Sequence, residues 1–287
     1  MNREERRWVL KAQRSELTEH HIYSRLARAV SDEQDREVLE RIAADELRHS
    51  EMLREHTGRS PAPNWLKVWW FYLLARLFGY TFVIKLMEAG ENRAHGNYGT
   101  FNIVPEGTAL AQEEHEHEER LIGMLDEDRL KYTGAVVRGL NDALVELTGA
   151  LAGFTLAFAQ PRVVAMAGLI TGVSASLSMA GSEYLGRKSE DDELSPARAA
   201  TYTGLAYALT VMVLIAPYMV FSNLYLCLGV MLAATLLIIA FFNYYMAVAR
   251  GQPFGARFLE MAGISLGIAA LSFGIGALVR RCLPVEV

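Results

Sequence analysis

The chain has 287 residues, is 52% hydrophobic and carries a formal net charge of −5 at pH 7. Of its 61 Asp, Glu, Lys and Arg residues, 43 lie in positions 1–131, as do all seven histidines. No basic patch suggests a nucleic-acid partner, and the two cysteines, Cys227 and Cys282, have neither disulfide nor thiolate-metal spacing. The sequence therefore predicts a polar domain over residues 1–131 and an apolar domain over residues 132–287.

Helical periodicity predicts four helices in the polar domain. They cover about 3–30, 32–57, 64–98 and 105–130. Ser31, with acidic residues after it, is predicted to be the N-cap of the second helix, and TGRSPAPN, residues 57–64, is a helix break. The start, MNREERRWVL, lacks the apolar segment of a secretory signal, so we expect this domain to stay in the cytoplasm.

Acidic and histidine side chains recur on the four predicted helices in a pattern typical of metal sites. The candidate ligands are Glu16 on the first helix, Glu46 and His49 on the second, Glu88 and Glu91, either or both, on the third, and Glu114 and His117 on the fourth. Residues three apart project from one helical face. One Glu from each of two helices, with Glu-x-x-His from each of the other two, is the ligand set of carboxylate-bridged di-metal centres.

Residues next to the candidate ligands could either contact the ligands or face solvent. Glu19, His20 and Tyr23 lie on the helical face of Glu16, where they would contact the ligands; solvent exposure is the alternative for Glu19 and His20. A solvated helix face is the interpretation for Glu113, His115, Glu116, Glu118 and Glu119.

Over residues 3–130 this pattern, including the seven-residue spacing of Glu16 and Tyr23, resembles the rubrerythrin and ferritin-like family. The resemblance implies a four-helix bundle with a di-iron site that holds Fe2+ and Fe3+, with Mn2+ as the alternative. Rubrerythrins add a rubredoxin-like cysteine site for electron delivery, which this sequence lacks. An iron-binding bundle of this kind would also suit a membrane-anchored di-iron ferroxidase or peroxide-scavenging enzyme, which is the alternative to the transport function considered below.

The stretch NWLKVWWFYLLARLFGYTF, residues 64–82, is unusually apolar for a helix of the polar domain. We expect it to pack on the bundle of a partner subunit or to touch the membrane surface. Packing inside its own bundle is the alternative.

Five membrane-spanning helices are predicted in the apolar domain. They cover about 134–160, 162–185, two segments of the uncharged run between Arg198 and Arg250 with a turn near 216–225, and 261–280. Lys and Arg are more frequent on the side that would be cytoplasmic when the N-terminus is inside. The C-terminus is therefore expected on the opposite side of the membrane.

Charged residues are concentrated in the first two predicted spans. Asp142 and Glu146 lie four apart on the first, and Met179 and Glu183 lie four apart on the second. A carboxylate inside a span costs at least ~2.5 kcal/mol, so it usually faces a cavity or a partner helix. Oxygen ligands with one thioether suit Fe(II) or Mn(II). The alternatives are that Asp142 and Glu183 are wet at the cytoplasmic surface and that Met179 only packs.

Two segments, GLNDALVELTGALAGF (139–154) and GLITGVSASLSMAGSEYLGRKSE (168–190), resemble the first two spans of the vacuolar iron transporter family, and the similarity covers about residues 132–283. The resemblance implies proton-coupled export of Fe(II), or Mn(II), by a homodimer in the lipid bilayer. It also implies a pathway between the subunits that is lined by Asp142, Glu146, Met179 and Glu183. Eukaryotic members insert metal-collecting helices between spans two and three, where this chain has only residues 187–199.

Overall fold

The computed structural model describes residues 2–95, 132–158, 160–189 and 195–282, with side chains up to Met87 in the first range. Every described element is an α-helix, which confirms the predicted helical class. The helices are α1 (Arg3–Ala29), α2 (Glu33–Thr57), α3 (Trp65–Phe78), α4 (Tyr80–His95), α5 (Thr133–Ala157), α6 (Pro161–Ser189), α7 (Pro196–Val220), α8 (Leu224–Arg250) and α9 (Phe254–Cys282). The chain divides into two units, Met1–Glu127 and Asp128–Val287.

Helices α1 and α2 pack against each other. A polar side chain caps the N-terminus of each helix. The N-cap of α2 is Asp32, whose carboxylate accepts a 3.1 Å hydrogen bond from the Asp35 backbone N–H. The prediction of Ser31 as this N-cap is therefore wrong by one residue. A carboxylate at this position satisfies a free N–H group and interacts favourably with the positive end of the helix dipole.

The predicted third helix, 64–98, is two helices in the structure. The helix stops at Phe78 and restarts at Tyr80. Gly79, between them, has φ 95° and ψ 154°, a backbone conformation that is essentially restricted to glycine. The prediction of one continuous helix is wrong because the apolar periodicity on either side of Gly79 contains no signal of this local turn.

The other predictions for the first unit fall partly outside the described residues. The predicted fourth helix, 105–130, lies outside them, as do the side chains of residues 88–95. The four-helix ferritin-like bundle and the boundary after residue 131 stay predictions.

Four helices of the second unit, α6 to α9, are long and apolar enough to cross a membrane. These helices support an integral membrane protein. The predicted break near 216–225 is confirmed at Phe221–Asn223, between α7 and α8. The last helix starts at Phe254, before the predicted 261. Helix α5, the first predicted span, has 25 residues but is not among these four; it carries Arg138, Asp142 and Glu146.

Helix α5 packs against each of the other four helices described in the second unit. Its buried residues Ala143, Leu147 and Leu151 belong to the main apolar cluster of this unit. Contacts with α9 are close: a Cβ added to Gly153 would lie 3.1 Å from the Ser272 carbonyl oxygen. Protein therefore covers much of α5, and a helix that meets little lipid has less need of a continuously apolar surface.

Two pairs of hydroxyl groups join α5 to its neighbours in the buried interior. Thr148 Oγ1 lies 3.1 Å from Thr235 Oγ1 on α8, and Thr155 Oγ1 lies 2.7 Å from the Tyr218 hydroxyl on α7. Hydrogen bonds of this kind between helices satisfy polar groups that water cannot reach and fix the register of the helices.

Candidate metal sites

Three of the predicted ligands of the first unit come together between α1 and α2. Glu16, Glu46 and His49 each offer one ligand atom, and these atoms all lie within 4.8 Å of one another. His49 Nδ1 is 3.8 Å from Glu16 Oε2. The imidazole is buried, with 3% of His49 exposed, and the Glu16 side chain is 16% exposed. Two carboxylates and an imidazole form a donor set that fits a divalent cation such as Fe(II) or Mn(II).

The remaining predicted ligands of this unit are not described. The side chains of Glu88 and Glu91, on α4, lie outside the described residues, and so do Glu114 and His117. The described part of the site therefore consists of the ligands from α1 and α2.

Glu19 and Tyr23, on the same face of α1 as Glu16, are both buried. Glu19 is 5% exposed; its Oε1 accepts hydrogen bonds from Ser15 Oγ at 2.9 Å and from Lys67 Nζ at 3.1 Å. The exposed alternative for Glu19 is therefore wrong, because this carboxylate is paired with a cation from α3. Tyr23 is also buried, with 2% exposed.

The imidazole of His20 contacts the backbone of α2. Its Nδ1 lies 2.7 Å from the Ala43 carbonyl oxygen, which can only accept, so Nδ1 carries the proton. His21, its neighbour, stacks near Trp65 with ring centroids 4.9 Å apart. Burial, then the nearby His20 and Arg25, lowers the pKa of His21. The neutral imidazole is therefore favoured at this position in the folded protein.

Asp142 and Glu146 lie one turn apart on α5, as the sequence predicts. Glu146 is exposed at the surface of the single chain, and Asp142 is half-buried. The Tyr207 hydroxyl, from α7, donates a 2.9 Å hydrogen bond to Glu146 Oε2. Sequence reasoning missed Tyr207; the available signal was a tyrosine within an apolar span, since a buried hydroxyl requires a partner.

Glu183 is bound by two arginines. Arg138 donates to its carboxylate from Nε at 2.9 Å and from Nη2 at 2.5 Å, and Arg187 donates from Nε at 3.0 Å. The Glu183 side chain is only 8% exposed. In this arrangement the arginines neutralise Glu183 and join α6 to α5, so a cation at Glu183 would have to displace them.

Met179 lies one turn before Glu183 on α6 and packs against the main apolar cluster of the unit. It is half-buried. Its observed contacts fit the packing alternative, and the thioether stays a predicted ligand.

A family model described as "VIT family" matches residues 133–195. It covers α5 and α6 and contains all four predicted pathway residues. The match supports a membrane protein of the vacuolar iron transporter type, and together with the four apolar helices it supports membrane transport of metal ions. None of the curated proteins matches the chain.

Proposed function

We propose that the chain exports Fe(II), or Mn(II), from the cytoplasm in exchange for protons, and that its first unit captures or senses the metal. The proposal depends on one observation above all: Asp142 and Glu146 lie one turn apart on α5, the helix in contact with every other helix of the second unit. Both lie within the segment that matches the VIT family.

Two carboxylates one turn apart can exchange a metal for protons. A divalent cation neutralises both negative charges and takes their oxygens as ligands. When the cation leaves, the carboxylates repel each other and protons replace it. The hydrogen bond from Tyr207 to Glu146 fixes one of these groups, so Tyr207 is a positioning residue in this proposal.

The exposed position of Glu146 supports a homodimer. A carboxylate that faced hydrocarbon would cost at least ~2.5 kcal/mol. A second subunit against α5, with a hydrated pathway between the two, removes this cost. In this proposal Asp142 and Glu146 line the pathway, with Met179 and Glu183 on the adjoining α6.

We also propose that α5 is the fifth span. Its 25 residues correspond to roughly 37 Å of helix, enough to cross a hydrocarbon core of about 30 Å. Five spans place the termini on opposite sides, with the first unit in the cytoplasm and the C-terminus outside.

For the first unit we propose a ferritin-like bundle with a di-metal site. Glu16, Glu46 and His49 would hold iron or manganese, together with Glu88, Glu91, Glu114 and His117. The bound metal would supply redox chemistry, and the protein side chains would orient it and neutralise its charge. The donor chemistry of the three described ligands supports this assignment.

The test is uptake of Fe(II) or Mn(II) by liposomes that contain the full chain, with and without a pH gradient. We expect the gradient to drive uptake and Asp142→Asn with Glu146→Gln to abolish it. Glu260→Gln is the matched control, because it removes a carboxylate from α9 instead. Uptake that survives the double substitution, or that ignores the gradient, would contradict the proposal.

The rival function is a membrane-anchored di-iron ferroxidase or peroxide-scavenging enzyme, and the cluster of Glu16, Glu46 and His49 is the observation in its favour. Oxidation of Fe(II) by the full chain in sealed liposomes separates the two. Turnover that needs Glu46 but not Asp142 and Glu146, with no net metal uptake, would favour the enzyme.

A further inference from the structure

Six large apolar side chains are exposed along α3. We name these residues the tryptophan face: Trp65, Leu66, Trp69, Trp70, Leu73 and Leu77, which are between 47% and 82% exposed. Within the described part of the first unit, Trp8 is the only other large hydrophobic residue with comparable exposure. Exposed apolar surface concentrated on one helix usually marks an interaction site.

The tryptophan face differs from the side of α3 that is buried in its unit. Leu66, Trp69, Leu73 and Leu77 follow one another at spacings of three and four, which places them on one side of the helix. Val68 and Ala75 are the buried residues of α3. Two of the rings touch α1 at their edges, because Trp65 lies beside His21 and Arg25 lies over Trp65 and Trp69. All six side chains still stay at least 47% exposed, so most of the face is available to something else.

The sequence that carries the tryptophan face is basic. The sequence has no Asp or Glu between Glu55 and Glu88, and it has Arg59, Lys67, Arg76 and Lys85 in that stretch. Lys67 is paired with the buried Glu19, so the charge balance of this stretch depends mainly on its arginines and Lys85. This balance is opposite to that of the whole chain, whose net charge is −5. The face therefore complements an anionic partner.

A further cation lies directly on the tryptophan rings. The Arg25 guanidinium carbon is 4.6 Å from the Trp69 ring centroid and 5.5 Å from that of Trp65. Tryptophan beside Lys and Arg is typical of the membrane–water interface, where the ring sits at headgroup level and the cation meets lipid phosphate.

We propose that the tryptophan face docks on the surface of an anionic lipid bilayer, with its side chains among the headgroups and upper acyl chains. The same chain contains four candidate membrane helices, so the tryptophan face is covalently linked to a segment that can anchor it at a bilayer. A second copy of the face is the less favourable occupant, because two-fold pairing would bring the cations of both copies together. The proposal is independent of which ion the protein transports.

The position of the tryptophans makes the full-length protein its own probe. The chain has four tryptophans, Trp8 and the three on α3, and the second unit has none. Trp8→Phe leaves only the tryptophan face to emit. This variant is placed in lipid nanodiscs of mixed phosphatidylcholine and phosphatidylglycerol, with ordinary acyl chains or with chains brominated near the headgroup, since bromine quenches tryptophan on contact.

We expect the brominated discs to quench most of the emission. Leu73→Glu with Leu77→Glu, which places two negative charges on the exposed face, should abolish this quenching. Gln34→Glu, at an exposed position of α2, is the charge control and should leave it intact. Discs of phosphatidylcholine alone should give weaker quenching.

Equal emission in ordinary and brominated discs would overturn the proposal. In that case blue-shifted emission would assign the face to protein contacts, from a second copy or another part of the chain, and red-shifted emission would place it in water. Quenching of the same size without phosphatidylglycerol would overturn the requirement for anionic lipid.

Discussion

The cluster of Glu16, Glu46 and His49 predicts that metal stabilises the first unit and that Glu46→Gln removes this stabilisation. The ligand atoms lie within 4.8 Å of one another, so the two carboxylates repel each other until a cation neutralises them. The variant keeps the shape of the side chain and removes one charge.

The size of the effect follows from mass action. Metal at 100 times its dissociation constant stabilises the folded state by about 2.7 kcal/mol, or about 11 °C in Tm at ~4 °C per kcal/mol for a unit of this size. Even loss of a group that only orients a ligand weakens binding about 10- to 100-fold. If the loss of Glu46 weakens binding about 100-fold, the stabilisation falls to roughly 0.4 kcal/mol, or about 2 °C.

Thermal unfolding followed by tryptophan fluorescence measures this effect, because every tryptophan lies in the first unit. Protein stripped by a chelator is compared with protein to which Mn(II) is added. Glu40→Gln, at an exposed position of the same helix, is the control and should keep the full shift. A full metal-dependent shift in Glu46→Gln would refute the assignment of Glu46 as a ligand.

Three further predictions concern other positions. Gly79→Ala should destabilise the first unit by about 1–3 kcal/mol in urea unfolding, because φ 95° is strained for alanine; an unchanged midpoint would contradict this. Tyr207→Phe should slow metal uptake about tenfold through loss of ~1.5 kcal/mol of hydrogen bonding to Glu146, whereas Tyr202→Phe on the same helix should not; equal rates for both would exclude the positioning role. The lowered pKa of His21 means that the folded state binds fewer protons than the unfolded state, so stability should fall as the pH drops below about 6.5. His21→Gln should show a smaller fall in unfolding free energy, and an identical pH profile would contradict the assignment.

Periodicity and spacing predicted a large part of the fold. Apolar runs longer than about 20 residues predict membrane helices, and α6 to α9 match four of the five predicted spans. The three-residue spacing of Glu46 and His49 placed both on one face of α2, where the structure finds them together with Glu16. These features are local, since each depends on residues within one helix.

Other features depended on contacts between helices. Nothing in the sequence around Glu183 indicates that Arg138, 45 residues away on α5, donates two hydrogen bonds to it. The partnership of Tyr207 with Glu146 joins residues 61 apart for the same reason. Periodicity assigns a face to a residue, and the packing angle of two helices decides which residue it meets.

The sequence by itself predicted most of the described helices, four helices that could enter a bilayer, and three side chains that lie together as a candidate metal cluster. Hydrophobic periodicity and ligand spacing act within single helices, so they can be found without the tertiary structure. The tertiary structure alone decided that Glu19 is buried beside Lys67, that Glu183 is held by arginines and that the tryptophan face of α3 is exposed. Burial and ion pairing depend on which side chains come into contact when helices pack, and residues far apart in the sequence supply those contacts.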